Sequence, residues 1–363
     1  MQRLRVLMCL AAVLYGAVAA LVTPARAQTE ENEAPHIAAL LPLKSHTFLR
    51  YAEAVRRGIA AAATAEVDRP NALPVVVYPT GDDPKEVVDT YDLAIRRGAR
   101  FVIGPLTKSA VQAVATSYAV SVPTLALSVP EGEVLLPDGM YAFGMQMEAE
   151  ARQVARVAQS TGKRRVAIFV ADNALSKRVG QAFAEEWARS GRLVVDQYTY
   201  TTDAARLKRI RDAIAAGNVD VIFFALDGPR ARQIRPYLGK SLLAFGTSQI
   251  YSPESHVLGQ HDLNGIVFVD MPWLVAPDHP AVMTYERQPG PPASFEQERF
   301  YALGIDAWRL AQTLLDGSYT DMGMLDGVSG YLSPGPAHVF NREGAVVQFT
   351  QSGLRPYEVS GSR

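Results

Sequence analysis

The chain has 363 residues, 48% hydrophobic and 20% charged, with 27 glycines and 23 prolines; this is too apolar for intrinsic disorder and too irregular for a fibre or coiled coil. Its length accommodates about two domains, with enough core to need neither disulfide nor metal. With 36 basic against 37 acidic residues and a formal charge of -1, it lacks the positive footprint of a nucleic-acid binder.

The first 27 residues read as a signal peptide. Arg3 and Arg5 precede an apolar run over residues 6–22, and Ala25-Arg26-Ala27 places small residues where signal peptidase needs them, predicting cleavage before Gln28. The rival reading is an uncleaved anchor, because the run just reaches the lower length limit for spanning a bilayer. Either way the folded part is exported, with the periplasm as its expected location. The single cysteine, Cys9, lies inside the apolar run rather than at its end, so no lipobox is expected. Cleavage would leave no cysteine, which excludes disulfides, thiolate nucleophiles and Cys-ligated zinc. Residues 28–34 are expected to be a disordered lead-in.

From Pro35 onward short apolar runs alternate with helical patterns. The runs cover residues 36–43, 75–79, 101–103, 124–127, 166–170, 193–198, 219–226 and 242–245, each short enough for a strand buried on both faces. Between them, apolar residues spaced by three or four (Phe48, Ala52, Val55, Ile59; Val87, Tyr91, Ala94, Ile95; Leu175, Val179, Phe183, Trp187) mark helices with one buried stripe. Asp83-Pro84-Lys85-Glu86 is a helix start, and Gly162 and Gly217 follow helix ends. Repeated strand–helix units imply parallel sheets in an α/β fold. One series ends near Gly144 and another begins near Lys163, so two lobes are expected. A last helix carries Phe300, Gly304, Ala307, Ala311 and Leu314 on one stripe, and a hairpin-like tail is expected over 330–332 and 346–350. Gln288-Pro289-Gly290-Pro291-Pro292 reads as a rigid surface loop.

Catalytic signatures are missing: no phosphate-binding loop, no dinucleotide fingerprint, no G-x-S-x-G elbow and no H-E-x-x-H helix. The S-x-x-K match at Ser160–Lys163 falls at a predicted helix end, the wrong place for an acyl-enzyme serine. Glu254, His256, His261 and Asp262 have loop composition and lack a third distant ligand, so no metal is expected. No cofactor and no catalytic residue is assigned. What remains is the set of loops at the strands' C-terminal ends, where open α/β sheets bind ligands. Lys44, Ser45, Thr107, Lys108, Ser128, Asp172, Asp227 and Tyr251 are the candidate cleft residues.

The stretch Asp82-Asp83-Pro84-Lys85-Glu86-Val87-Val88, followed by Phe101-Val102-Ile103-Gly104-Pro105, resembles type I periplasmic binding proteins. Gly104-Pro105-Leu106-Thr107-Lys108, Tyr141-Ala142-Phe143-Gly144, Thr247-Ser248-Gln249-Ile250-Tyr251-Ser252, Asp270-Met271-Pro272-Trp273 and Leu303-Gly304-Ile305-Asp306-Ala307 are similar to the penicillin-binding-protein activator family of LpoA/LppC type. The resemblance covers nearly all of residues 35–357. It implies a two-lobed fold, each lobe a mostly parallel sheet flanked by helices. Lobe 1 is then expected over 35–145 plus 274–320, lobe 2 over 146–273 plus 321–357, and a tail over 358–363.

The resemblance also implies a non-enzymatic role in cell-wall synthesis, in which the chain binds a bifunctional peptidoglycan synthase in the periplasm and stimulates its transpeptidase. Better-known members carry a lipid anchor and a helical-repeat N-terminal domain, neither of which is expected here, because the sequence offers no lipobox cysteine and no room for that domain. The alternative is a solute receptor closing on a small amino-acid-like ligand, with Thr107, Ser128 and Asp227 supplying the polar contacts. Gln249, Asp270 and Trp273 are the candidate hinge residues. Tyr251, Asp270 and Trp273 are expected to line the interlobe region, with Asp270 bonding backbone N–H groups across the lobes and Asp270→Ala leaving folding largely intact.

Overall fold

The computed structural model describes residues 34–358 apart from 71, 118–119, 131–134, 240, 253–259, 288–293 and 318. The expectations for the signal peptide, most of the lead-in, the proline-rich loop at 288–292, Glu254 and His256, and the tail beyond 358 lie outside the described residues.

Five strands form the first sheet: β1 (His36–Leu41), β2 (Val75–Pro79), β3 (Ala99–Ile103), β4 (Thr124–Ala126) and β5 (Met140–Ala142), all parallel in the order β2-β1-β3-β4-β5. Every residue of β1 is buried, as an apolar run covered on both faces requires. The crossovers are α1 (Leu49–Ala65), α2 (Pro84–Arg96) and α3 (Lys108–Ala115). Helix α2 starts as the sequence signals, with the Asp83 carboxylate accepting from the Lys85 N–H and Pro84 in the first turn.

The second series runs α4 (Met147–Ser160), β6 (Arg165–Val170), α5 (Ala174–Arg189), β7 (Leu193–Thr199), α6 (Ala204–Ala216), β8 (Val221–Ala225), α7 (Gly228–Ile234), β9 (Leu243–Gly246), the short α8 (Gln260–Leu263) and β10 (Ile266–Asp270). Short helices α9 (Pro272–Val275) and α10 (Pro280–Met283) lead to the long α11 (Phe295–Asp316). Strands β11 (Leu325–Asp326), β12 (Tyr331–Pro334), β13 (Phe340–Glu343), β14 (Ala345–Thr350) and β15 (Gly353–Pro356) complete the described chain. The second sheet has the order β15-β14-β10-β9-β8-β6-β7, with β14 and β15 antiparallel and the rest parallel. The fold is thus two-lobed, with mostly parallel sheets flanked by helices.

Helix α11 returns to the first lobe and lies on α1. A Cβ on Gly58 would sit 2.1 Å from the Tyr301 carbonyl oxygen, and one on Gly304 2.3 Å from that of Val55. The two backbones therefore touch, which only glycine allows. Around that contact Val55, Ile59, Leu303, Ala307 and Trp308 fill the first core.

The tail differs from the expected hairpin. Residues 330–332 do not pair with 346–350: β12 pairs with β11 and β13 in a small antiparallel sheet, while β14 pairs with β10 and β15. Burial explains the split. Val328, Leu332 and Phe340 sit in the first core, whereas Val347 and Phe349 sit in the second. The chain enters the second sheet only at Ala345, later than the boundary near 320 placed it. Among the expected strands β5 was missing, because its three residues, Met140, Tyr141 and Ala142, include no β-branched one to mark a strand.

Candidate functional site

The junction between the lobes is built from buried charges. At the end of β10 the Asp270 carboxylate, fully buried, accepts from Arg299 Nε at 3.0 Å and Nη2 at 2.6 Å. The same Nη2 donates to the backbone oxygens of Ser248 and Tyr251 at 3.0 and 3.2 Å. One guanidinium on α11 thus binds the last residue of β10 and the loop after β9. Such a bidentate, multiply bonded pair fixes direction as well as distance. Burial works against the Arg299 charge, but Asp270, joined by the charges of Glu150 and Glu296, outweighs it and raises the Arg299 pKa.

A second clamp lies beside it. Glu150, on the first turns of α4, accepts from the Ser248 N–H at 3.1 Å and from Arg342 Nη2 at 2.6 Å, and Arg342 Nη1 reaches the Ser329 oxygen at 3.2 Å. Gln153, one turn on, exchanges hydrogen bonds with both backbone groups of Gly344. A third clamp is Asp306 on α11, which accepts from the N–H groups of Val328 and Ser329 and from the Ser329 hydroxyl. Burial raises the Asp306 pKa, with the bonds from Ser329 and the nearby Arg309 opposing it.

Next to these clamps lie contiguous hollows. The one facing the loop ends holds about 520 Å³ and is lined by Lys108, Ser128, Gln146, Glu148, Arg152 and Arg178, among others. Glu148 takes a hydrogen bond from Arg178 Nε at 2.9 Å. Burial pushes its carboxyl up, but Arg178, the residue's own N–H and the Lys108 charge together hold it below the usual carboxylate range. Among the described residues no group of three or more His, Cys, Asp or Glu side chains could hold a metal ion.

The predicted site residues are dispersed. Only Lys108 and Ser128 line this hollow. Lys44 pairs with Glu86 at 2.8 Å, Ser45 is buried with its hydroxyl accepting from the Phe48 N–H, and Thr107 caps α3. Asp172 pairs with Lys177 at 2.6 Å, and Asp227 caps α7 and pairs with Arg230. Tyr251 is core rather than cleft: its ring packs among Phe268, Phe295 and Phe349, and burial pushes its pKa up to about 12, with the Asp270 charge adding. Gln249 sits half-buried in the turn 248–250.

Trp273 lies in the first core, donates from Nε1 to Glu298 at 2.7 Å and carries the Arg287 guanidinium over its ring at 4.5 Å. Asp270 bonds one backbone N–H, that of its neighbour Met271, and otherwise Arg299, not N–H groups across the lobes. Arg299, Glu150 and Arg342 were missed by sequence reasoning. They stand in amphipathic or short polar stretches where a charge reads as solvated. Ser160, the S-x-x-K serine, closes α4 and donates to the Val157 oxygen.

A family model described as "LppC putative lipoprotein" matches residues 18–352. The Penicillin-binding protein activator LpoA of Vibrio cholerae is 25% identical over 351 residues, covering 88% of this chain and 57% of that protein. Its counterpart in Vibrio vulnificus is 26% identical over 368 residues, covering 90% and 59%. The chain therefore spans a little over half the length of these curated relatives. Among solved structures, the LpoA C-domain from Haemophilus influenzae, described as a regulator of PBP1A, matches with a TM-score of 0.75 at 21% identity over 90% of this chain and all of that one. A structure described as a putative branched-chain amino acid ABC transporter from Chromobacterium violaceum matches with a TM-score of 0.74 at 34% identity, covering 86% and 99%. The fold is that of a type I periplasmic binding protein.

Proposed function

The chain belongs to the LppC family, and we propose from that membership that it is a non-enzymatic activator of a bifunctional peptidoglycan synthase, working in the bacterial envelope on the periplasmic side. The observation that carries the reading is the family match over residues 18–352. The junction supports it. Buried polar contacts tie the start of α11 to the end of β10, its middle to the turn at 328–329, and the start of α4 to β13, which suits a body presenting a fixed surface to a protein partner. Among the described residues no helix is long and apolar enough to cross a membrane.

The test is a transpeptidation assay with a purified bifunctional synthase from the same cell, with and without the chain. The expected result is faster cross-linking that saturates with added chain, and an unchanged rate at saturating chain would overturn the reading. The solute-receptor alternative draws on the 34% identity to the Chromobacterium violaceum protein. Against it, Asp172 and Asp227, the acids available for a ligand ammonium, are held by Lys177 and Arg230. Calorimetric titration with leucine, isoleucine and valine separates the two, since the activator reading expects no heat of binding.

A further inference from the structure

We propose that the hollow between α4 and the β12–β13 ribbon is a binding site for a small molecule carrying one carboxylate on a partly apolar, amide-bearing body. This hollow holds about 530 Å³, within the range of small-molecule sites. None of the loop-end candidates lines it; it adjoins the hollow facing the loop ends, sharing Val129, Gln146 and Arg152 with it, and it does not depend on the activator reading.

Three arginines set its chemistry. Arg152 and Arg156 stand one turn apart on α4, on one face of the helix, and Arg342 faces them from β13; all three line the hollow. Their charges are not equally available. Arg156 is paired with Glu343, which also lines the hollow, at 2.9 Å. Arg342 is paired with Glu150 at 2.6 Å. Arg152 is half-buried and has no hydrogen-bond or ion-pair partner among the described residues. A half-buried guanidinium with five donors and no acceptor is an unfinished contact.

The charge balance selects the ligand. With Arg156 and Arg342 each neutralised by a glutamate, one positive charge remains, that of Arg152. A single carboxylate matches it, and guanidinium and carboxylate meet through two parallel hydrogen bonds. A doubly charged phosphate would leave one charge uncompensated beside Glu343. The rest of the lining describes the body: Ser333 and Asn341 can exchange hydrogen bonds with an amide, and Val339 and Phe340 offer apolar surface.

The experiment is calorimetric titration of the purified protein with N-acetyl-leucine and N-acetyl-glutamine, whose blocked amines remove any ammonium contact. One-to-one binding is expected. Arg152→Ala should weaken it by about tenfold or more, the scale of one charge-assisted bidentate contact. Arg178→Ala, at the neighbouring hollow, should leave it within about twofold. N-acetyl-leucinamide, which lacks the carboxylate, should also bind about tenfold more weakly or not at all. Thermal melts check that Arg152→Ala is folded. No binding of either acid, equal binding by Arg152→Ala, or tighter binding of inorganic phosphate than of the acids would each overturn the proposal.

Discussion

Helix α11 makes two kinds of contact along one length. Toward α1 it presents Gly304 and an apolar stripe, and the two backbones meet with no side chain between them. Toward the second lobe and the small sheet it presents Arg299 and Asp306, whose charges are satisfied by Asp270 and by the N–H groups of Val328 and Ser329. Apolar contact is non-directional and tolerates small slides, whereas a buried charge is stable only where its particular donors and acceptors stand. The first contact therefore gives the lobe its core, and the second fixes how the lobes are set against each other.

Removing Arg299 tests the difference most severely. Arg299→Ala leaves the Asp270 carboxylate buried without a counter-charge, and about 3–5 kcal/mol of stability should be lost in a denaturant titration. Asp270→Ala should act similarly, contrary to the expectation from sequence that it leaves folding intact, because the structure places that carboxylate at 0% exposure against Arg299. The paired change Asp270→Leu with Arg299→Met should recover most of the loss. If both single variants cost under about 1 kcal/mol, the pair behaves as a solvated surface bridge and the contrast with the apolar contact fails.

On the other side of the comparison, Gly304→Ala forces a methyl group against the Val55 carbonyl, and about 1–3 kcal/mol should be lost as α1 and α11 separate. The lobe arrangement should stay as it is, so small-angle scattering should match the parent. Scattering that changes in Gly304→Ala and not in Arg299→Ala would reverse the roles assigned to the two contacts. A smaller effect is expected at the loop ends. Asp227→Ala removes the α7 cap and should cost about 1 kcal/mol without altering synthase stimulation.

How much of this was legible follows from the same physics. The strands from β1 to β9, β5 apart, were readable as short apolar runs, and the α1 and α11 stripes were readable from their spacing. The Asp83-Pro84 start was readable because capping is local chemistry. The junction was not. Asp270 was picked out within Asp270-Met271-Pro272-Trp273, but its partner lies 29 residues on, in a helix whose first turn carries Glu296 and Glu298, and nothing local marks Arg299 as the buried one. The loop-end residues were located correctly on the fold and assigned to one cleft, yet most are used up as caps and surface pairs. Arg152, the one unpaired cation common to the hollows, carries no sequence signal that separates it from Arg156.

The last and smallest prediction concerns the edge of the cleft, where charge is only half removed from water. Glu148 and Arg178 are 29% and 50% exposed, so solvent screening should hold their pair to under about 1 kcal/mol. The Glu148 carboxyl is held below its ordinary value of 4.5 in the folded chain, so as pH falls the unfolded chain takes up the proton first. Its contribution is therefore present above the unfolded value and lost as pH falls through the lowered folded one. Asp306 runs the other way: its pKa is raised, so its contribution is present at pH below the unfolded value and lost as pH rises through the folded one. Comparing Glu148→Gln with the parent cancels Asp306, which both retain. The stability gap between them should be level near neutrality and shrink as pH falls below the ordinary value of 4.5. A gap that stays constant through that window would mean that Glu148 acts there by shape rather than charge, and the cleft edge would then belong with the apolar contact instead of the charged junction.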